Sequence, residues 1–368
     1  MPAGYVRFGS SAVVILALVF LIPGCGEPVA GGTAALETGG MVVAGSRSKK
    51  PVTLAGGSLP AGGLVVTHGG VGSPPEWSSF CQRAAKSALI ALTKNNSALQ
   101  GAVVGTMTME NFPNLNAGTG ANIRLDGKTI QMDAAVMTSD GEFASVAVIE
   151  RVRNPVLVAR AVMDTPHRML AGEGATRFAH RAGFVDIVPR CSEAEAKYQK
   201  RIQRLLAGEA GGGFDDFDWR QYWNYPNPPP SARVTGPDAS PPETGDTVGC
   251  VARNDEGQFA ATLSTGGTSI TLNGRVGDVP IYGCGCYAGP AGAVACTGFG
   301  EEIIRHTMAK TVYEFMARGL TARAAVMRGC ELFGQEYSLG LIAVGHDGWG
   351  VAANRVMAYG QVAAATDD

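Results

Sequence analysis

The sequence predicts a layered protein of strands and helices, α+β or α/β in class. Three observations carry this. Strand-like runs alternate with helical ones in both halves of the chain. The 368 residues leave room for one large or two ordinary domains with a substantial core. The 51 glycines place many backbone sites in turns, tight sheet packings or linker. A net charge of −2 gives no electrostatic footprint for nucleic acid, and no such partner is expected.

Residues 1–25 form a unit of their own. Arg7 is the lone charge before the apolar run AVVILALVFLIP, which is too short to span a bilayer comfortably. Ile22-Pro23-Gly24-Cys25 resembles a bacterial lipobox, although Leu is commoner at the place of Ile22 and Pro23 is unusual. A lipobox implies cleavage before Cys25 and lipid on its thiol, hence a membrane-anchored protein of the bacterial envelope or periplasm. A plain secretory signal is the alternative, and both export the chain. Residues 26–60 are rich in Gly, Ala and Ser and read as a flexible tether.

Seven cysteines follow Cys25, an odd number, so at least one stays unpaired or joins another chain. Cys284-x-Cys286 with Cys296 lacks a fourth ligand at a zinc spacing, and the five histidines are scattered without an HExxH. The cysteines read as small buried residues of a tightly packed sheet, and no metal ligands are assigned.

Folded structure is expected from GLVVTHGG, a β-rich run stopped by glycines. A helix follows with Trp77, Phe80, Cys81, Ala84, Ala85, Ala88 and Leu92 on one face. Asp126-Gly127 lies between two β-compatible runs and predicts a hairpin. FASVAVI is a buried strand, and NPVLVARAVMD a short helix entered through Pro155. Ser192 and Glu195 have capping-box spacing at the head of a helix that buries Ala194, Tyr198, Ile202 and Leu205. Beyond Thr247, TVGCVAR and QFAATLS flank NDEG as a hairpin. One long helix should place Ile304, Met308, Val312 and Phe315 inward and stop at Gly319. TARAAVMRGCELFG is a further helix, and a strand pair around Asp347-Gly348 closes the chain.

The composition breaks twice. Residues 207–246 hold GEAGGG, DDFDW and NPPP with no periodicity, the pattern of a disordered or functional linker. Order then returns at Thr247, directly after Asp246. A hydroxyl is a poor nucleophile until a base takes its proton, and an N-terminal Thr carries that base as its own α-amine. The amine has an unperturbed pKa of about 7.7–8.0, suited to neutral pH. It exists only after the preceding bond is cut, and a linker ending where a strand begins is the arrangement such a cut requires. Thr also begins many ordinary strands.

The blocks GDTVGCVARNDEGQFAATLSTGG, GRVGDVPIYGCGCYAG and ACTGFGEEIIR resemble those of the type 2 asparaginase family. So do HGGVG, NLNAGTGANIRLDGKTIQMDAAVM, RNPVLVARAVM and GEGATRFA in the first half. That family comprises plant-type asparaginases, isoaspartyl peptidases and glycosylasparaginases, all N-terminal nucleophile hydrolases. The resemblance implies a four-layer αββα sandwich, built from a chain of residues 61–246 and a chain of residues 247–368 that fold together before cutting. It also implies a homodimer of such two-chain units acting on a small-molecule or dipeptide substrate.

By resemblance, Thr247 is the nucleophile and the bond between Asp246 and Thr247 the site of self-cleavage. Thr265 of STGG is the second threonine beside it. Arg275 and Asp278 hold the substrate's α-carboxylate and α-amine, as the chemistry of a guanidinium fork and a carboxylate allows. Taken alone, Arg275-x-x-Asp278 is the pattern of a surface ion pair. Thr297 and Gly298 supply the oxyanion hole, with Gly298 and Gly300 at the substrate. Asn116 lies in a further active-site motif. No cofactor is implied, although asparaginase-branch members hold a structural sodium on backbone carbonyls of the loop matching MENFPNLNAG. STGG and GCGCYAG resemble the asparaginase and isoaspartyl branch. Asp246 resembles the glycosylasparaginases, which leaves N-acetylglucosaminyl-asparagine open as a substrate. A binding module that kept the fold without activity is the non-enzymatic alternative.

Overall fold

The computed structural model describes residues 51–58, 62–207 and 247–364, all within the unit Ser48–Asp368. Cys25, Asp246 and the linker from residue 208 lie outside the described residues.

The first half supplies β1 (Thr53–Ser58), β2 (Leu64–Val71), α1 (Ser78–Asn95), α2 (Ala98–Glu110), β3 (Met132–Thr138) and β4 (Phe143–Ile149). It continues with α3 (Pro155–Met163), β5 (Met169–Ala171), α4 (Gly172–Arg181) and α5 (Ser192–Leu206). The second half supplies β6 (Thr247–Arg253), β7 (Phe259–Thr265), β8 (Cys286–Gly289) and β9 (Gly292–Gly298). Then come α6 (Gly300–His306), α7 (Met308–Ala317), α8 (Ala322–Leu332), β10 (Leu339–Gly345), β11 (Gly348–Ala353) and β12 (Met357–Ala363).

Two sheets form, ordered β1-β11-β10-β9-β8 and β12-β2-β6-β7-β3-β4-β5. The inner strands β2, β7, β9 and β10 are buried on both faces, so they read as near-continuous apolar runs rather than alternating ones. Strand geometry still sends alternate side chains to opposite faces. Val251, Leu263, Ala295 and Ile342 meet in the core between the sheets. Val65, Val248 and Cys250 face α1 and α2, while Met132 and Val146 pack with α3 and α5. Cys296, Leu341 and Ala352 pack against α7 and α8. The order of layers is helix, sheet, sheet, helix, and the expected α+β sandwich is the observed fold.

Several elements differ from expectation. β1 occupies part of the stretch read as tether and pairs antiparallel with β11, so the fold begins at Thr53 rather than at Gly63. Around Asp126-Gly127 the turn forms, but no strands flank it until β3. Arg124 N–H reaches Thr129 O across the turn at 2.9 Å, but the next bond, from Leu125 N–H to Thr271 O at 3.0 Å, ties the segment to a different loop and no ladder develops. The cap of α5 is Cys191, whose Sγ accepts from Ala194 N–H at 3.4 Å, and Glu195 is held by Arg190 instead of closing a capping box. The long helix before Gly319 is broken at Thr307, which adopts φ 44° and splits it into α6 and α7. That break brings Ile303, Met308, Val312 and Met316 inward and leaves Ile304 and Phe315 half-buried. β12 was not foreseen.

All seven described cysteines are free thiols. Cys286 faces the core between the sheets and Cys296 the helical side of its strand, so these two cannot pair across β8 and β9. Burial holds both thiols protonated, Cys286 being pushed up to about 12. The reading of small buried residues stands.

Candidate active site

β6 and β7 run antiparallel at the centre of the larger sheet, and their register sets Thr247 opposite Thr265. Thr247 belongs to the same face as Val251, and Thr265 to that of Leu263, so both point between the sheets. They are 4% and 3% exposed, in polar company at one end of an otherwise apolar layer. The Thr265 hydroxyl accepts from Gly267 N–H at 3.0 Å, which fixes its orientation.

The opposite sheet contributes β9, which packs against β6. Thr297 accepts from Val71 N–H at 3.3 Å through Oγ1, an arrangement that keeps its own O–H proton available to a ligand. Gly298 follows with φ 140°, and a Cβ there would sit 2.1 Å from Ser338 O. Only glycine fits that corner, and it turns the chain from β9 towards α6. At the head of α6, a Cβ on Gly300 would lie 2.9 Å from Asp278 Oδ1 and 3.0 Å from Arg275 Nη2. This close approach joins Gly300, two residues past Gly298, to the Arg275–Asp278 pair.

Asp278 is buried and its Oδ2 has no hydrogen-bond partner among the described residues. Burial drives its pKa up to about 7; its own backbone N–H and Arg275 oppose the shift, and Glu301 and Asp133 add to it. A second charge aimed at that oxygen would complete the site. Arg275 is 16% exposed and pairs with Glu301 through Nε at 3.0 Å and Nη2 at 2.9 Å. Burial alone would lower its pKa, but Glu301, Asp278 and Asp133 more than offset this and it stays charged. The pair is therefore no solvated surface bridge.

Asn116 is 1% exposed and its side chain is spent on backbone. Its Nδ2 donates to Gly267 O at 2.8 Å and its Oδ1 accepts from Asn122 N–H at 2.9 Å. It holds the loop after Thr265 against residues 116–122, and this places it behind the site as a support. Glu110 and Arg153 carbonyls crowd the same loop, within 2.6 and 2.7 Å of a Cβ on Gly118. Among the described residues no group of three His, Cys, Asp or Glu side chains could hold a metal.

Four neighbouring residues escaped the sequence reading. Glu301 follows Gly300 directly. Arg124 and Asp133 are fully buried charges in the segments NIRLDG and QMDAA, and an acid inside an apolar run was the available signal. His68 is buried with neither ring nitrogen bonded among the described residues, beside the backbone of Thr247. Burial lowers its pKa to about 3, so it is a neutral imidazole. Its Nε2 would lie 2.3 Å from a Cβ at Gly249, which is why a side chain is absent there. Nothing but its place in HGGVG marked it.

A four-layer sandwich with buried threonines between its sheets, in a site with a largely buried Arg–Asp pair, is the framework of an N-terminal nucleophile hydrolase. A family model described as asparaginase matches residues 65–367. The chain is 35% identical over 291 residues to the plant-type L-asparaginase of Pyrococcus abyssi, across 76% of this chain and 89% of that one. It is 37% identical over 265 residues to the isoaspartyl peptidase of Salmonella typhimurium, across 70% and 77%. It is 35% identical over 309 residues to the probable isoaspartyl peptidase/L-asparaginase 2 of Arabidopsis thaliana, across 78% and 91%. The chain belongs to the type 2 asparaginase family and is a hydrolase of the N-terminal nucleophile type.

Asn116→Ala should cost about 1–3 kcal/mol of stability, because Gly267 O and Asn122 N–H lose buried partners. Urea unfolding of the variant checks this.

Proposed function

We propose that the protein cuts itself before Thr247 and then hydrolyses the side-chain amide of asparagine or of β-aspartyl (isoaspartyl) dipeptides. The observation that carries this is Thr247 at the very start of a buried central strand, opposite Thr265, in a site that also holds Arg275 and Asp278. In the first reaction the Thr247 hydroxyl attacks the Asp246 carbonyl, and the peptide bond becomes an ester that water resolves. The new α-amine then serves as base for the same hydroxyl.

In turnover, Arg275 takes the substrate's α-carboxylate and Asp278 its α-ammonium, which leaves the β-carbonyl to Thr247. Attack expels the amine and forms a β-aspartyl ester on Thr247, while Thr297 Oγ1 and Gly298 N–H receive the developing oxyanion. Water then frees aspartate. The names of the relatives quoted above support asparagine and isoaspartyl substrates over the glycosylated one, and an enzyme over an inactive binding module. The working unit in this reading is a homodimer of two-chain units. A structural sodium on backbone carbonyls of the loop 109–118 is part of the same reading, and the chemistry itself uses groups of the chain and water.

For the N-terminus, we propose export and lipidation at Cys25, supported by the apolar run before it. No helix among the described residues is long and apolar enough to cross a membrane. Loss of the protein from membrane fractions on Cys25→Ser supports the anchor, and unchanged fractionation rules it out.

Intact mass spectrometry tests the central proposal. The wild-type protein should yield a fragment beginning Thr-Val-Gly-Cys, and Thr247→Ala should remain uncut and inactive. Maturation of that variant at the same bond would assign the cut to another protease.

The raised pKa of Asp278 predicts a pH signature with a definite sign. Below about 7 its neutral form dominates and cannot balance an α-ammonium. KM should therefore climb by about tenfold per pH unit as pH falls below that point. In Asp278→Asn the KM should be high and flat across the same range.

A further inference from the structure

Behind the residues that would meet substrate lie two opposite charges, Arg124 and Asp133, both fully buried. Burying a lone charge costs several kcal/mol, so each needs a reason to be there. Their contacts converge on one loop. Arg124 Nη1 donates to Thr271 Oγ1 at 2.6 Å, and Nη2 donates to Arg275 O at 3.2 Å and Gln131 O at 3.3 Å. Its neighbour Gln131 accepts from Gly274 N–H at 2.8 Å in the same loop.

Asp133 takes the other end. It stands opposite Thr265 in the β3–β7 ladder, and its Oδ1 accepts from Val148 N–H at 2.7 Å. Its carboxylate also faces the backbone N–H of Gly277 and the charges of Arg124 and Arg275, while Oδ2 has no bonded partner among the described residues. The loop from Thr271 to Asp278 is thus held by a cation near its start and an anion near its end. Arg275 carries one grip on its own carbonyl and Asp278 follows directly on the Gly277 grip, and the separation of these two side chains must match the carboxylate and ammonium of one amino-acid head.

We propose that Arg124 and Asp133 are paired positioning residues that set Arg275 and Asp278 at the spacing of an α-amino acid. The inference rests on the substrate reading above. It gives Arg124 and Asp133 no contact with substrate: they act through the loop. A pure packing role would make itself felt in stability alone. A positioning role appears in KM, because the bound head group is what the loop measures.

The test uses mature, self-cleaved protein. Asp133→Asn is nearly isosteric and keeps an acceptor for Val148 N–H. For β-aspartyl-leucine its KM should rise roughly 10–100-fold, the range for losing a group that orients a direct ligand. Self-cleavage should proceed as in wild type, since no free α-carboxylate takes part in it. The pH at which KM begins to climb should move down, because the Asp133 charge no longer opposes ionisation of Asp278. Arg124→Met should raise KM comparably, Arg124→Lys should recover part of it, and the double variant should lose less than the product of the two single effects.

An unchanged KM in folded, mature Asp133→Asn overturns the proposal, as does a lowered Tm with KM and its pH limb intact. If Asp133→Asn fails to mature, Arg124→Lys and Arg124→Met carry the same comparison, and equal KM in both overturns it. Wild-type protein inactive on β-aspartyl-leucine and on asparagine would instead sink the substrate reading, which keeps the two failures distinct.

Discussion

The ladder between β6 and β7 is the constraint on which the site depends. It fixes Thr247 opposite Thr265 and continues without a bulge to Arg253 opposite Phe259. A slip of one residue would turn Thr247 towards α1 and α2 and send Val248 between the sheets. The flanking strands β2 and β3 lock the register by pairing with its two outer edges. The nucleophile proposed here is positioned by backbone hydrogen bonds over the whole strand, with side-chain contacts added on top.

The second organising fact is that the space between the sheets changes character along its length. Over most of it, Val251, Leu263, Ala295 and Ile342 make a dry layer. At one end Thr247, Thr265 and Thr297 face it, with His68 in its neutral form nearby. A hydroxyl nucleophile gains from such a place, since dipoles aimed at a developing charge count for more where water is excluded. The charged groups stand beside this end, on the loop after Leu272 and at the head of α6, and not inside the apolar layer.

Most of the layering was legible because buried strands and amphipathic helices announce themselves by period. α1 and α5 bury the faces their spacing predicts. The misses have local causes. β1 hides in TLAGGS, where small residues look like linker until β11 is there to pair with them. The break at Thr307 is invisible because helical periodicity runs through it, and threonine is not a residue type that signals a left-handed backbone. Cys191 displaced Ser192 as a cap although Ser is the usual choice. At the site, Thr247, Thr265, Thr297, Gly298, Arg275 and Asp278 were reached through resemblance. Their burial and mutual approach come only from folding. Asn116 carried a motif but not a pose, and Arg124 and Asp133 stood in the same block with no role attached, since their meaning depends on a loop more than a hundred residues further along the chain.

The strand order has a consequence for how the protein is born and lost. β1 before the proposed cut lies in a sheet with β8 to β11 from after it, and β2 to β5 share the other sheet with β6, β7 and β12. Neither piece owns a complete sheet, and the layer between the sheets and the one under α1 and α2 both draw on residues from each side of that bond. Cutting the bond before Thr247 therefore changes the molecularity of folding. The uncut chain assembles by a first-order process, with all its strands tethered. The mature protein, once unfolded, must reassemble two chains by encounter, and its apparent stability comes to depend on concentration. On the proposed cut, refolding at low concentration becomes slow, and the persistence of the two-chain form then rests on how slowly it unfolds.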